Sequence, residues 1–376
     1  MKVGIVGPIW ISIPPKAYGG TEDVVHNLVN GLSKKGHEVT LFGPANSKVK
    51  ARLYPTVDTP LLENKINIEW TNTGYTLYHL AQAFERASEF DILHVHLNKT
   101  QDYIALALAE YSKTPVLFTL HFNLPSEGDN GKTDRFLLLK KYAHLPFTSI
   151  SNSQQKPIRL NYIKTVYNGV NPELFPFSER PGTYLAWLGK VNPLKGTKEA
   201  ILAAKKADLK IYIMGTIDRN VPTMLSYYEQ EVRPLIDGRR AVWLGEVSHN
   251  EKTSILSGAL AFLNPIAWEE PFGLVMAESQ ACGTPVISFR RGSAPELIAD
   301  KKTGFLVDSL EEMVEKIRES EYIDRILCRK RVEERFTIGK MVEGYEEAYL
   351  KTIENWKKYR NGKRKYRSNE PLVHSM

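Results

Sequence analysis

Short β-rich apolar runs alternate with helical patterns along almost the whole chain, the arrangement expected of a parallel, doubly wound sheet. Val3 to Val6 reads as the first strand, followed by a loop containing Pro14, Pro15, Gly19 and Gly20. A helix comes next, with Val24, Val25, Leu28, Val29 and Leu32 on one face and Gly36 at its end. Val39 to Phe42 is the second strand, and further strands are predicted at Ile92 to Val95, Val116 to Leu120, Phe147 to Ile150 and Thr165 to Tyr167. The alternation pauses at Asn168 to Pro172, and Pro176, Pro181 and Gly182 follow closely, which predicts a linker. It then restarts, with strands near Tyr184 to Leu188, Lys210 to Met214, Ala241 to Leu244, Ala261 to Leu263, Val286 to Ser288 and Gly304 to Val307. Ser309 and Glu312 have the spacing of a capping box, and a last helix is expected from about Lys340 to Lys358.

The predicted organisation is α/β throughout: two Rossmann-like, doubly wound parallel-sheet domains facing a cleft. The first spans 1–170, a linker 171–182 and the second domain 183–340. A C-terminal helix, 341–358, is expected to return to the first domain, and 359–376 forms a basic tail expected to lack fixed structure. Ligands of such sheets bind outside the carboxyl ends of the strands.

Composition narrows the function classes. The chain has 376 residues, 42% of them hydrophobic, enough for more than one core. Its net charge of +7 equals the contribution of one basic stretch at the end of the helix and in the tail, Lys357, Lys358, Arg360, Lys363, Arg364, Lys365 and Arg367, so the remainder is neutral. A nucleic-acid partner is therefore not expected of the folded body, whereas the tail is either solvated or able to touch an anionic membrane surface. The two cysteines, Cys282 and Cys328, show neither disulfide nor metal spacing, and Cys282 reads as buried packing. No apolar run reaches 18 residues and the first apolar run is too short for a signal peptide, so a cytoplasmic, at most membrane-peripheral, protein is expected.

The most informative segment runs from Glu270 to Gly283. Glu270 and Glu278 are eight residues apart, a little over two helical turns, so a helix beginning near Pro271 would carry both on one side at different depths. The amides of its first turn, from Phe272 through Gly273, Leu274 and Val275, would attract an anion. Carboxylates flanking an anion site need hydroxyl partners. A ligand with a diphosphate at its centre and a polyol at either end, a sugar nucleotide, has that shape. The competing reading makes Glu270 a helix-dipole partner and Glu278 a solvated side chain. Lys190 and Lys195, in a loop after the first strand of the second domain, could clamp the diphosphate or be surface lysines.

In the first domain Gly19 and Gly20 offer amides to an anion or form a plain turn before a helix. His94 and His96 share a strand face, and no carboxylate or cysteine lies near them at metal-ligand spacing. His121, at a strand's carboxyl end, is the better site candidate, its alternative being a structural histidine. The loop Ser126 to Lys132 is either a mobile acceptor-side lid or ordinary surface. There is no D-x-D sequence, so no metal and no other cofactor is expected, and neutralisation would fall to lysines and helix termini.

With these motifs in this order, the chain resembles the family 4 glycosyltransferases, retaining enzymes of GT-B fold, over nearly its whole length to about residue 350. Glu270 to Gly283 resembles the family's E-x7-E element and Leu188 to Gly196 its diphosphate loop. Val166 to Asn171 is similar to its interdomain crossing and Ala17 to Glu22 to its N-terminal glycine loop. The resemblance implies that the first domain faces the acceptor and the second binds a nucleotide sugar. Glu278 would bind the ribose, Glu270 the donor sugar, the amides of Phe272 to Val275 sugar and diphosphate, and Lys190 and Lys195 the diphosphate. His121 would lie beside the donor sugar, Gly20 near the reacting groups, and Val247, in Gly245-Glu246-Val247, beside the base. The family usually has Arg where Lys190 stands, so a bidentate fork is lost here. The implied reaction moves a hexose, with retention, from a UDP- or GDP-sugar to a hydroxyl acceptor that the sequence does not identify. It would proceed by front-face attack in which the leaving phosphate takes the acceptor's proton. A sugar-nucleotide epimerase of the same fold and a non-catalytic sugar-nucleotide sensor are the alternatives.

Overall fold

The computed structural model describes residues 1–16, 19–63, 68–125, 133–219 and 221–367, the side chains of 68–72 and 361–367 excepted. Ala17 and Tyr18 of the glycine loop, the 126–132 segment and the residues beyond 367, which carry no lysine or arginine, lie outside the described residues. The chain divides into two compact units: Met1–Ser149, Pro157–Val166 and Val342–Met376 form one, and Ile150–Lys156 with Tyr167–Met341 the other.

In the first unit the strands are β1 (Lys2–Val6), β2 (Glu38–Pro44), β3 (Arg52–Val57), β4 (Ile92–Leu97), β5 (Val116–Leu120), β6 (Pro146–Ser149) and β7 (Asn161–Thr165). They pair in parallel in the order β3-β2-β1-β4-β5-β6-β7. Every residue of β4 and β5 is buried, as in a sheet covered on both faces, and this includes the polar side chains His94, His96 and Thr119. The helices are α1 (Gly20–Lys34), α2 (Ile68–Glu85), α3 (Ile104–Ala109) and α4 (Asp134–Lys141). α1 buries Val24, Val25, Leu28, Val29 and Leu32, the face its periodicity predicts.

The second unit has β8 (Tyr184–Lys190), β9 (Lys210–Thr216), β10 (Ala241–Gly245), β11 (Ala261–Asn264), β12 (Val286–Phe289) and β13 (Gly304–Val307), parallel in the order β10-β9-β8-β11-β12-β13. Its helices are α5 (Thr197–Lys206), α6 (Pro222–Tyr227), α7 (His249–Ser257), α8 (Leu274–Ala281), α9 (Ala294–Leu297), α10 (Leu310–Glu319) and α11 (Arg325–Arg335). The last helix, α12 (Ile338–Arg367), belongs to the first unit from Val342 onward. There Tyr345 and Tyr349 are fully buried, and Glu346 accepts from Lys35 Nζ at 2.6 Å and pairs with His37 Nε2 at 2.8 Å.

Five expectations change. Residues 171–182 are no linker but part of the second unit: Phe175 is buried in its core, and Val170 N donates to Phe336 O at 2.8 Å while Ile338 N donates to Val170 O at 3.1 Å. Proline and glycine end regular structure there without ending the unit. Residues 150–156 also fall in the second unit. Strand β7 ends at Thr165, where a strand was expected to begin, and the helix expected to stop at Lys358 runs to Arg367. Lysine and arginine are good helix formers, so a run of them is no stop signal. Finally, Ser309 caps α10 by accepting from Glu312 N at 3.1 Å, but the Glu312 carboxylate turns to Asp308 N at 2.8 Å, leaving half a capping box.

Candidate functional site

Strand order reverses between β8 and β11, which opens a crevice outside their carboxyl ends. The end of β8 and the loop after it carry the predicted lysines, and the loop after β11 carries the first glutamate. Lys190 is the exposed last residue of β8. Beyond it, Asn192 Oδ1 accepts from Lys195 N at 2.9 Å and closes a 3-10 turn over Pro193–Lys195, while Trp187 Nε1 donates to Lys195 O at 3.2 Å. Gly196 then takes φ 69°, and a Cβ there would stand 2.0 Å from Pro265 O. Glycine alone lets this loop rest directly on the loop after β11.

Lys195 Nζ forms a short ion pair with Glu270 Oε2, the two side chains being only 22% and 13% exposed. The ammonium also lies 4.8 Å from the centre of the Trp268 ring, and Trp268 Nε1 donates to the same Glu270 oxygen at 3.1 Å. The helix does not begin near Pro271. Gly273, at φ 78°, is the N-cap, and α8 starts at Leu274, with Met276 N bonded back to Gly273 O at 3.0 Å. Glu270 therefore sits in the loop and Glu278 on the helix, and their relation is set by the left-handed turn rather than by helical spacing. A Cβ on Gly273 would stand 2.6 Å from Met276 Cε and 3.3 Å from Glu270 Cγ. The first-turn amides of Leu274 and Val275 head the helix beside Glu270.

Glu278 has a lysine of its own: Lys252 Nζ lies 2.9 Å from its Oε1, with exposures of 20% and 16%. Lys252 comes from α7, whose capping box pairs Ser248 with Glu251. The two predicted acids are thus each held by one ammonium through one oxygen. Among the described residues, Glu270 Oε1 and Glu278 Oε2 have no protein partner, so each can accept from a hydroxyl.

A third loop, after β12, holds the segment in place. Ser293 N donates to Glu270 O at 2.9 Å, Ser293 Oγ to Phe272 O at 2.6 Å, and Gly292 N to Glu269 Oε2 at 2.6 Å. Phe272 is itself buried against the rings of Tyr167 and Phe336. Val247 is partly buried just ahead of the Ser248 cap. Cys282 is fully buried with its Sγ toward Thr253 O, and burial pushes its thiol up to about 12, so it serves packing. The sequence reading missed Lys252, Trp268 and the 292–293 clamp. An aromatic two residues before Glu270 was a usable signal for Trp268, whereas Lys252 is brought in by tertiary folding alone.

In the first unit Gly19 caps α1, which begins at Gly20, with Asp23 N donating to Gly19 O at 3.0 Å. Two residues on, Glu22 is 4% exposed, and burial, reinforced by Asp23 and Asp102, pushes its carboxyl up to about 7. Unfolded, it would lose its proton near 4.5; folded, it keeps it to about 7, so stability falls as pH rises through that window. Glu22→Gln removes the effect, and urea unfolding is expected to show the variant gaining about 2–3 kcal/mol on the wild type between the two ends of the window. Parallel stability profiles for the two proteins would refute this.

His121 follows β5, its N–H bonded to Leu97 O at 3.1 Å, and its ring Nε2 shares a hydrogen bond with His96 Nδ1 at 2.8 Å. Burial pushes its pKa down to about 3, so it is neutral at physiological pH. His94 is a core residue that pairs with Tyr349 OH at 2.8 Å and Thr119 Oγ1 at 2.7 Å. Among the described residues no group of three or more His, Cys, Asp or Glu side chains is placed to hold a metal ion, and no helix is long and apolar enough to cross a membrane.

Residues 177–333 match the family model described as Glycosyl transferases group 1, and 18–174 the one described as Glycosyltransferase Family 4. The chain is 24% identical over 324 residues to the phosphatidyl-myo-inositol mannosyltransferase of Mycolicibacterium smegmatis, covering 82% of this chain and 81% of the relative. It is 24% identical over 381 residues to the N-acetyl-alpha-D-glucosaminyl L-malate synthase of Bacillus anthracis, covering 92% and 96%. Its fold is shared by the sucrose-phosphate synthase of Thermosynechococcus elongatus, with TM-score 0.73 and 18% identity over 96% of this chain and 100% of that one. The Anabaena protein HepE in complex with UDP-glucose gives 0.70 at 16% identity, over 94% and 100%.

Proposed function

Since the chain belongs to the family 4 glycosyltransferases and has their GT-B architecture, we propose that it moves a hexose from a nucleotide-diphosphate sugar to a hydroxyl acceptor with retention of configuration. One observation carries the donor assignment: two half-buried lysine–glutamate pairs flank the first turn of α8 at the switch point of the second sheet. In this reading the amides of Phe272 to Val275 and the Lys190 and Lys195 ammonium groups receive the diphosphate. The oxygens of Glu270 and Glu278 that have no protein partner accept sugar and ribose hydroxyls. Val247 flanks the base, His121 meets the donor sugar, and Gly19 and Gly20 lie near the reacting groups. The complex of HepE with UDP-glucose supports a nucleotide-sugar donor.

Breaking the bond from the anomeric carbon to phosphate builds positive charge on the sugar ring and negative charge on the leaving diphosphate. Fixed ammonium groups and helix amides stabilise the latter. Front-face attack lets the departing phosphate take the acceptor's proton, so no carboxylate nucleophile is needed. The scheme uses no metal: activity is expected to survive EDTA, and a loss restored by Mg²⁺ would overturn this part of it. A thermal-shift series with UDP-, GDP- and ADP-sugars tests the donor site, since a ligand of the native state raises its melting temperature according to concentration over affinity. No shift with any of the three would remove the donor assignment. Release of nucleoside diphosphate in step with sugar transfer then separates transfer from epimerisation and from binding without chemistry. The basic end of the chain is proposed as a peripheral contact with anionic membrane.

A further inference from the structure

The site candidate His121 is one end of a histidine pair, and the other end determines its proton. His96 is 2% exposed and its Nε2 is buried with no hydrogen-bond partner among the described residues, while its Nδ1 shares the 2.8 Å bond with His121 Nε2. The rings are stacked, with centroids 5.1 Å apart at 22°. His94 backs His96 from the other side at 4.1 Å and is itself fixed by Tyr349 and Thr119.

A neutral imidazole has one proton for two nitrogens. Placed on Nε2 of His96, that proton would be a buried N–H without an acceptor. Placed on Nδ1, it is used in the bond to His121, and only a lone pair is left unpartnered. Buried N–H groups without partners are the rarer and costlier outcome. The His96 Nδ1–H therefore donates, His121 Nε2 accepts, and the proton of neutral His121 is driven onto Nδ1. His121 is partly exposed, and its Nδ1 has no protein partner among the described residues.

We propose that His96 is a positioning residue that locks His121 in the Nδ1–H tautomer, so that His121 offers the sugar a fixed hydrogen-bond donor and never a basic nitrogen. The functional half rests on the reading that His121 meets the donor sugar; the tautomer does not.

Nitrogen-15 labelling of the histidines in the full chain, with His121 assigned by its loss in His121→Gln, reads the ring nitrogens by NMR. His121 is expected as Nδ1–H in the wild type between pH 6 and 8, and to remain so in His96→Asn, whose amide can still donate. In His96→Leu it is expected to revert largely to the usual Nε2–H form, with the KM for a UDP- or GDP-sugar rising about 10-fold, the scale of one hydrogen bond. An Nε2–H form in the wild type overturns the proposal, and so does an unchanged tautomer in His96→Leu. Should the leucine variant not fold, the wild-type spectrum alone decides. Unchanged turnover and donor KM in His121→Ala would instead overturn the sugar-contact reading and leave the tautomer standing.

Discussion

Lys195→Ala is expected to lower turnover by about 100-fold or more, the scale seen when one preorganised group facing developing negative charge is lost. The structure makes the loss double. The ammonium stands against Glu270 in a half-buried pair, so alanine removes a cation and also leaves a carboxylate whose remaining partner at that oxygen is the Trp268 N–H. That uncompensated charge would face the departing diphosphate with the wrong sign. Because the leaving group's charge grows as the bond breaks, the effect should fall more on kcat than on donor KM. Lys195→Arg keeps the charge and is expected to recover part of the rate. Steady-state kinetics on variants with wild-type melting curves check this, and wild-type turnover in the alanine variant removes Lys195 from the mechanism.

Arg325→Met is expected to destabilise the second unit by about 3–5 kcal/mol, from the loss of several hydrogen bonds to a charged group and the acceptors stranded behind it. Arg325 is 4% exposed, and its guanidinium donates to Ser178 O at 2.6 Å, Ala259 O at 2.9 Å, Ser257 O at 2.8 Å and Thr284 Oγ1 at 2.7 Å. Carbonyl dipoles surround the charge, so methionine of similar length restores the packing while satisfying none of them. The Ser178 contact also ties the 171–182 segment to this unit. Chemical denaturation measures the change, and a shift below about 1 kcal/mol would show that water replaces the lost bonds.

The alternation of apolar runs made both sheets legible because their inner strands are buried on two faces. Edge strands were less readable. β3 contains Pro55, and proline in an apolar run argues against a strand unless that strand is at the edge, which is where β3 lies. The acids of the site were visible as residue types, but their placement was not. Whether Glu270 is on the helix depends on the left-handed φ of Gly273, a conformation glycine permits without announcing it. Lys252, separated from Glu278 by 26 positions, has no local signal at all. The pairing of His96 with His121 likewise follows from the β4 to β5 register, which joins His96 to Thr119 and Leu97 to Leu120.

The burial of Tyr345 and Tyr349 against the histidines of β4 reverses the usual order of events on the ribosome, where the amino-terminal part of a chain is expected to finish folding first. Here the amino-terminal half waits for residues that emerge almost last, while everything the other half contains has already been synthesised by Met341. A nascent chain arrested just after Met341, within α12, would hold a complete second unit and an unfinished first one. The earliest half to be made is the latest to mature.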